Sequence, residues 1–252
     1  MIKVKELVKI YPNNATALDG VSFEIEPGEV CGYLGANGAG KSTTIKILAG
    51  MLTANSGDVE INEINLFKYP DRVKRIIGYV PESGAVFPSL TPYDFLEFVC
   101  KIYNIDKSTY RKKILDFMEI FDLKNEVFMP MSGFSKGMKQ KVLIISSLIH
   151  NPDIILWDEP LSGVDFNTNL VIRDLVKELS SKGKIILYST HVLDMLDKIC
   201  NKIIILNSGK IVYDSHFQQT DGIQIENILK QYVDSSASKE KAAEIYKNII
   251  SS

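Results

Sequence analysis

The run Gly35-Ala36-Asn37-Gly38-Ala39-Gly40-Lys41-Ser42 constrains this chain more than any other stretch of its sequence. An apolar segment, residues 30–34, leads straight into it, and residues 43–52 have helical spacing, so the local pattern reads strand, glycine loop, helix. Glycines let successive backbone N–H groups curl around an anion without Cβ clashes, and the helix start adds its positive dipole end. Lys41 can then reach β- and γ-phosphates, the Ser42 hydroxyl can take a Mg²⁺ position, and Thr43 adds an α-phosphate contact. The bland alternative, a glycine turn capping a helix with an exposed Lys, does not account for this full pattern in this context. The loop predicts a nucleoside triphosphate site.

Around the loop, residues 2–34 contain short β-branched runs broken by polar turns, and further strands are predicted at 57–62 and 75–80. From 93 to 150 the texture turns helical, with Phe95, Phe98, Val99 and Ile102 at three-to-four spacing. Residues 84–150 therefore read as a helical insertion in a sheet. Beyond it, apolar runs at 154–157 and 184–189 flank an amphipathic stretch at 169–181, and strand, helix, strand implies a parallel sheet with right-handed crossovers. Residues 203–206 and 211–213 read as a closing hairpin. The last segment, 222–252, is polar and helical in pattern, with Ile225, Ile228, Leu229, Tyr232 and Val233 as an apolar face that either packs on the body or meets a partner.

Composition excludes several classes. The 252 residues carry 29 Lys+Arg against 31 Asp+Glu, a net charge of -2 that gives no global pull toward nucleic acid. The three cysteines, Cys31, Cys100 and Cys200, show neither a disulfide framework nor zinc-ligand spacing, which fits a reducing cytosol. The opening Met1-Ile-Lys-Val-Lys-Glu6 has no apolar signal core, and no uncharged apolar run reaches the roughly 18 residues of a membrane-spanning helix. Any membrane work is expected to rely on another chain.

A second chemical feature is Ile154-Ile155-Leu156-Trp157-Asp158-Glu159, an apolar strand ending in two carboxylates. An α/β sheet presents groups to a ligand at that edge. Asp158 is placed to hold Mg²⁺, directly or through water, and Glu159 to orient and polarise a water attacking the γ-phosphate. An acidic pair at a strand end is alone often a solvated turn; beside a phosphate loop the functional reading prevails.

Phe134-Ser135-Lys136-Gly137-Met138-Lys139-Gln140 opens the helix leading to that strand, and here the sequence resembles the ATP-binding-cassette (ABC) ATPases. Their LSGGQ signature aligns on Phe134 to Met138, and Ser135 precedes Asp158 by 23 residues, the family's usual spacing; the register starting at Ser132 gives 26. Ser135 is also a sound helix N-cap, a role compatible with ligand binding. Leu161-Ser162-Gly163-Val164-Asp165 resembles the loop that crosses to a partner subunit, Ser189-Thr190-His191 the switch histidine, and Tyr11 the aromatic residue that stacks on adenine. Alone, His191 would read as a packed or surface histidine and Tyr11 as a turn residue. The resemblance spans about residues 2–215. It implies an α/β P-loop NTPase fold with an antiparallel β subdomain, a parallel core sheet and the inserted helical subdomain, as one ATPase domain over 1–220 followed by a helical tail over 221–252.

Two positions depart from the common pattern. Glu82, in Gly78-Tyr79-Val80-Pro81-Glu82, stands where most members carry a Gln that contacts Mg²⁺ and water, and a carboxylate can keep that role. The signature reads Phe-Ser-Lys-Gly-Met, similar to the drug, antibiotic and sodium export subgroup. Lys136 at a helix start opposes the dipole by a few tenths of a kcal/mol, a cost more easily understood if it faces a phosphate. Ser135, Gly137 and Asp165 lie in loops with no evident partner in their own chain.

The resemblance thus implies an ATP- and Mg²⁺-dependent ATPase subunit on the cytoplasmic face of the membrane, acting as a homodimer or pseudo-dimer with a separately encoded membrane-spanning permease, and no nucleic-acid partner. The competing class is a soluble ABC ATPase of a non-transport complex. Translation factors generally carry two cassettes and repair ATPases insert long coiled coils, whereas only 94 residues separate Lys41 from Ser135 here; an iron–sulfur assembly ATPase stays open. A cassette without turnover is disfavoured because Lys41, Asp158, Glu159 and His191 are all present.

Overall fold

The structure is a computed structural model that describes residues 1–82, 86–190, 193–216 and 225–232. Its strands are β1 (Ile2–Ile10), β2 (Thr16–Ile25), β3 (Val30–Leu34), β4 (Ser56–Ile61), β5 (Ile64–Asn65), β6 (Ile77–Val80), β7 (Ile154–Asp158), β8 (Ile185–Ser189), β9 (Lys202–Asn207) and β10 (Lys210–His216). The helices are α1 (Lys41–Leu48), α2 (Pro70–Lys74), α3 (Pro92–Ile102), α4 (Lys107–Ile120), α5 (Lys136–Leu148), α6 (Phe166–Ser181), α7 (Leu193–Ile199) and α8 (Ile225–Tyr232).

Two sheets result. β2-β1-β4-β5 is antiparallel; β10-β9-β3-β8-β7-β6 is parallel except for β10, which closes its edge antiparallel to β9. The parallel strands are apolar at nearly every position because both faces are covered. Alternate residues divide between two cores. Val30, Leu34, Ile155, Trp157, Ile186, Tyr188, Ile203 and Ile205 pack with the buried faces of α3 to α8. Cys31, Tyr33, Ile154, Leu156, Ile185, Leu187, Ile204 and Leu206 pack with α1 and the inner face of the antiparallel sheet. α1 is thus held between the two sheets, with Ile45, Ile47 and Leu48 fully buried.

After β6 the chain leaves the sheet, builds α3 to α5, and returns as β7 beside β6 in parallel register, Ile77 opposite Ile154 and Val80 opposite Trp157. This is the helical insertion the sequence predicts. Its first helix opens on a reciprocal cap, in which the Thr91 hydroxyl accepts from the Asp94 N–H and the Asp94 carboxylate accepts from the Thr91 N–H. α2, β5 and α7 were not predicted; at 5, 2 and 7 residues they are too short to show a period. α1 ends at Leu48 rather than 52, because the chain turns at Gly50. Of the tail, α8 packs on the body: Ile225 and Ile228 are buried, and the Ile225 N–H donates to the Asp197 carboxylate at 3.0 Å. Among the described residues, no helix is long and apolar enough to cross a membrane.

Trp157 ties the insertion to the sheet. It is fully buried, lies edge-on to Tyr188 at 6.0 Å, and its indole N–H donates to the Ser147 hydroxyl on α5 at 3.0 Å. Ser147→Ala orphans that donor and is expected to cost about 1–3 kcal/mol, read as a lower midpoint in urea unfolding with an unchanged slope.

Candidate functional site

The strand order places the carboxyl ends of β3, β8, β7 and β6 along one edge, where an α/β sheet receives its ligand. The glycine loop follows β3, Ser189 ends β8, Asp158 ends β7 and Glu82 follows β6. They surround a cavity of about 400 Å³ lined by Tyr11, Ala15–Ala17, Asn37, Gly38, Gly40–Thr43, Glu82, Asp158, Glu159 and Ser189.

The loop is shaped for an anion. Gly40 caps α1 at φ 113°, a left-handed value, and a Cβ there would lie 2.4 Å from the Ala17 carbonyl oxygen. Among the described residues no side chain caps α1 and its first turn holds no acidic residue, which leaves the helix start suited to an anion. Lys41 is 8% exposed, and its ammonium donates to the Gly35 and Ala36 carbonyls at 2.7 and 3.1 Å. Burial draws its pKa below the ordinary lysine value, against the opposing pull of Glu159, Asp158 and Glu82. Ala39 faces the core. The loop therefore presents backbone donors and one desolvated cation.

Opposite stand the acidic groups. Parallel register sets Asp158 beside Ser189, whose hydroxyl donates to Asp158 Oδ1 at 2.8 Å. Asp158 is 1% exposed, and its Oδ2 has no hydrogen-bond partner among the described residues. A buried carboxylate oxygen in that state requires a ligand cation or donor. The Glu82 carboxylate lies 3.5 Å from the Ser42 hydroxyl. This all-oxygen set fits Mg²⁺, which takes one or two carboxylates, substrate phosphates and waters rather than a full protein cage. Glu159 sits at φ 51°, held by its N–H donating to the Ser189 carbonyl at 3.0 Å; such a conformation costs a non-glycine residue about 1–3 kcal/mol and concentrates at functional sites.

Tyr11 reaches the cavity from beyond β1, its hydroxyl 3.2 Å from the Thr43 hydroxyl. His191 lies outside the described residues. Ser135, Lys136, Gly137 and Asp165 do not line this cavity. Nor are Ser135, Gly137 and Asp165 without contacts in their own chain, as the sequence suggested. Ser135 caps α5 by accepting from the Met138 N–H at 3.2 Å, and the Lys136 ammonium donates to the Ser162 hydroxyl at 2.7 Å. A Cβ on Gly137 would meet the Gly163 carbonyl oxygen at 2.4 Å. Asp165 caps α6 through the Thr168 N–H at 2.9 Å and pairs with Lys141 of α5 at 3.0 Å. Signature and following loop form one packed unit. Lys141, Ser162 and Ser189 were missed as site-shaping residues; the only signal for Lys141 was a lysine abutting an apolar helical run.

The Thr168 backbone N–H holds the Asp165 carboxyl well below the usual carboxylate range, with Lys141 adding to it against partial desolvation. The sign follows: the capped, ion-paired form is favoured at neutral pH and is lost only as pH falls below the ordinary Asp value of about 3.9. Carboxyl-resolved NMR should place the Asp165 midpoint below that value in the wild type and raise it in Lys141→Met; a midpoint at or above it contradicts the pairing.

Comparison with known proteins places the chain in a family. Residues 18–162, more than half the chain, match the ABC transporter family. An ABC transporter ATP-binding protein of Methanocaldococcus jannaschii is 36% identical over 92% of this chain and 83% of its own length. The linearmycin resistance ATP-binding protein LnrL of Bacillus subtilis is 31% identical over 84% of this chain and 68% of its own. Among solved structures, a dimeric ATP-binding cassette in a post-hydrolysis state bound to ADP and Pi superposes with a TM-score of 0.80 at 27% identity, covering 86% of this chain and 99% of that one. The chain belongs to the ABC transporter family, as an ATP-binding subunit with the ATPase fold and phosphate loop of that family.

Proposed function

We propose that this chain powers export of a substrate such as a drug, antibiotic, peptide, lipid or sodium through a separately encoded membrane-spanning subunit, by ATP-driven closure of two cassettes. It acts as a peripheral subunit on the cytoplasmic face. The 1–220 segment is the ATPase domain, with 84–150 as its helical insertion, and 221–252 is an appended tail.

Each part of the reaction falls to a particular group. The loop amides from Gly35 to Thr43 and Lys41 grip the phosphates, and Tyr11 stacks on the base. Ser42, Asp158 and Glu82 hold Mg²⁺, which supplies charge neutralisation on the phosphates. Glu159 accepts a proton from the attacking water, with His191 and Glu82 helping to place it against the γ-phosphate.

One observation carries the two-copy arrangement. The signature residues Ser135, Lys136 and Gly137 and the crossing-loop Asp165 lie outside their own chain's cavity, yet are braced into a unit by Lys136–Ser162 and Lys141–Asp165. A rigid face of helix start and loop suits the open side of a nucleotide held by a second copy. ATP then joins two chains head to tail, and hydrolysis releases them. Export is supported by the Phe-Ser-Lys-Gly-Met signature, by Glu82 and by the likeness to a resistance protein.

Tagged Glu159→Gln, recovered from detergent-solubilised membranes in MgATP, should bind nucleotide and emerge as a trapped dimer with a polytopic membrane protein. A monomer in light scattering contradicts the closure. Recovery with soluble machinery alone contradicts the transport reading and favours the non-transport class.

A further inference from the structure

We propose that Glu82 makes this nucleotide site a filter for cation-bound ATP: its carboxylate repels the bare triphosphate and attracts the complexed one. The inference rests on the ATP-site reading above and adds to it a selectivity for the charge state of the nucleotide.

The charges around the cavity are lopsided. Among the described residues that line it, Lys41 is the single cation, against the carboxylates of Glu82, Asp158 and Glu159. All three act electrostatically on the Lys41 ammonium, so they share one small volume with it. Lys41 also carries less of the burden than its charge implies, because its ammonium is engaged by the Gly35 and Ala36 carbonyls. Asp158 is anchored on one oxygen by Ser189 and keeps the other buried without a donor, a site that calls for positive charge. Glu82 brings a further carboxylate to within 3.5 Å of the Ser42 hydroxyl, beside the place where the phosphates enter.

A polyanion approaching this set without a cation meets three like charges in a partly desolvated cleft, where Coulomb terms are several times larger than in water. Adding a divalent ion reverses the sign of the interaction for the same groups. Asp158 and Glu159 are set by the fold of β7 and by the chemistry of hydrolysis. Glu82 is the carboxylate that an isosteric amide can replace while keeping an oxygen for the cation and the hydrogen bond to Ser42. Its charge, and not its shape, is then what separates the two forms of nucleotide.

The test compares full-length wild type with Glu82→Gln by calorimetric titration of ATP in EDTA and of ATP in saturating Mg²⁺. The ratio of the two dissociation constants should be large in wild type and fall by about tenfold or more in Glu82→Gln. The change should come from tighter binding of metal-free ATP by the variant. An equal ratio in both proteins overturns the filter. So does a variant that loses MgATP affinity while binding metal-free ATP as the wild type does, since Glu82 is then a cation ligand only. If wild type binds neither form, the ATP-site reading itself falls, an outcome separate from failure of the filter.

Discussion

The arrangement depends on one desolvated ammonium. Lys41 is drawn out of water at the start of α1, engaged by two carbonyls of its own loop, and faced by three carboxylates across a cleft of about 400 Å³. That position is costly by itself, since removing an ammonium from water costs more free energy than removing a neutral group. It persists because the loop is locked from behind: Gly40 abuts the Ala17 carbonyl, and the Gly209 N–H donates to the Ala39 carbonyl at 3.0 Å. β2 and the β9–β10 turn therefore fix the geometry of the phosphate loop, and the antiparallel sheet serves as more than a cover for the core.

The same logic runs through the acidic side. Asp158 is held by register, because β7 and β8 pair so that Asp158 meets Ser189. That register is enforced by apolar residues alternating between two cores, and a one-residue slip would exchange them. Packing far from the nucleotide thus sets the distance between the carboxylates and the loop. Trp157, next to Asp158, links this register to α5, whose other end carries the signature. A short path of packed groups therefore connects the phosphate site to the helix that opens on the signature.

Much of this was legible in the sequence because the motifs are local. The glycine loop, the acidic strand end and the Ser135 cap are contiguous residues whose chemistry demands their spacing. β3 was read from its apolar run and the structure returns it with the same ends, Val30–Leu34, whereas the helical texture read over 93–150 resolves into α3, α4 and α5. What the sequence concealed was tertiary. Lys136 looked like a group facing a phosphate and Asp165 like one without a partner inside its own chain; the first donates to Ser162 and the second is bound by Thr168 and Lys141, and these contacts shape the face they belong to. The Lys136–Ser162 and Lys141–Asp165 contacts leave no periodic or compositional trace, since their partners lie 26 and 24 positions apart, whereas the Asp165–Thr168 cap is local. α2 and α7 escaped for a simpler reason, being one or two turns long.

The central claim is that one chain holds half of each composite site, so that turnover needs two copies. Phosphate release from MgATP, measured per chain over a wide range of protein concentration, tests it most directly. Specific activity that rises with concentration and then saturates is the predicted result. Specific activity that stays constant on dilution to the lowest concentrations would contradict the account, because a single chain would then hydrolyse ATP with its own residues alone.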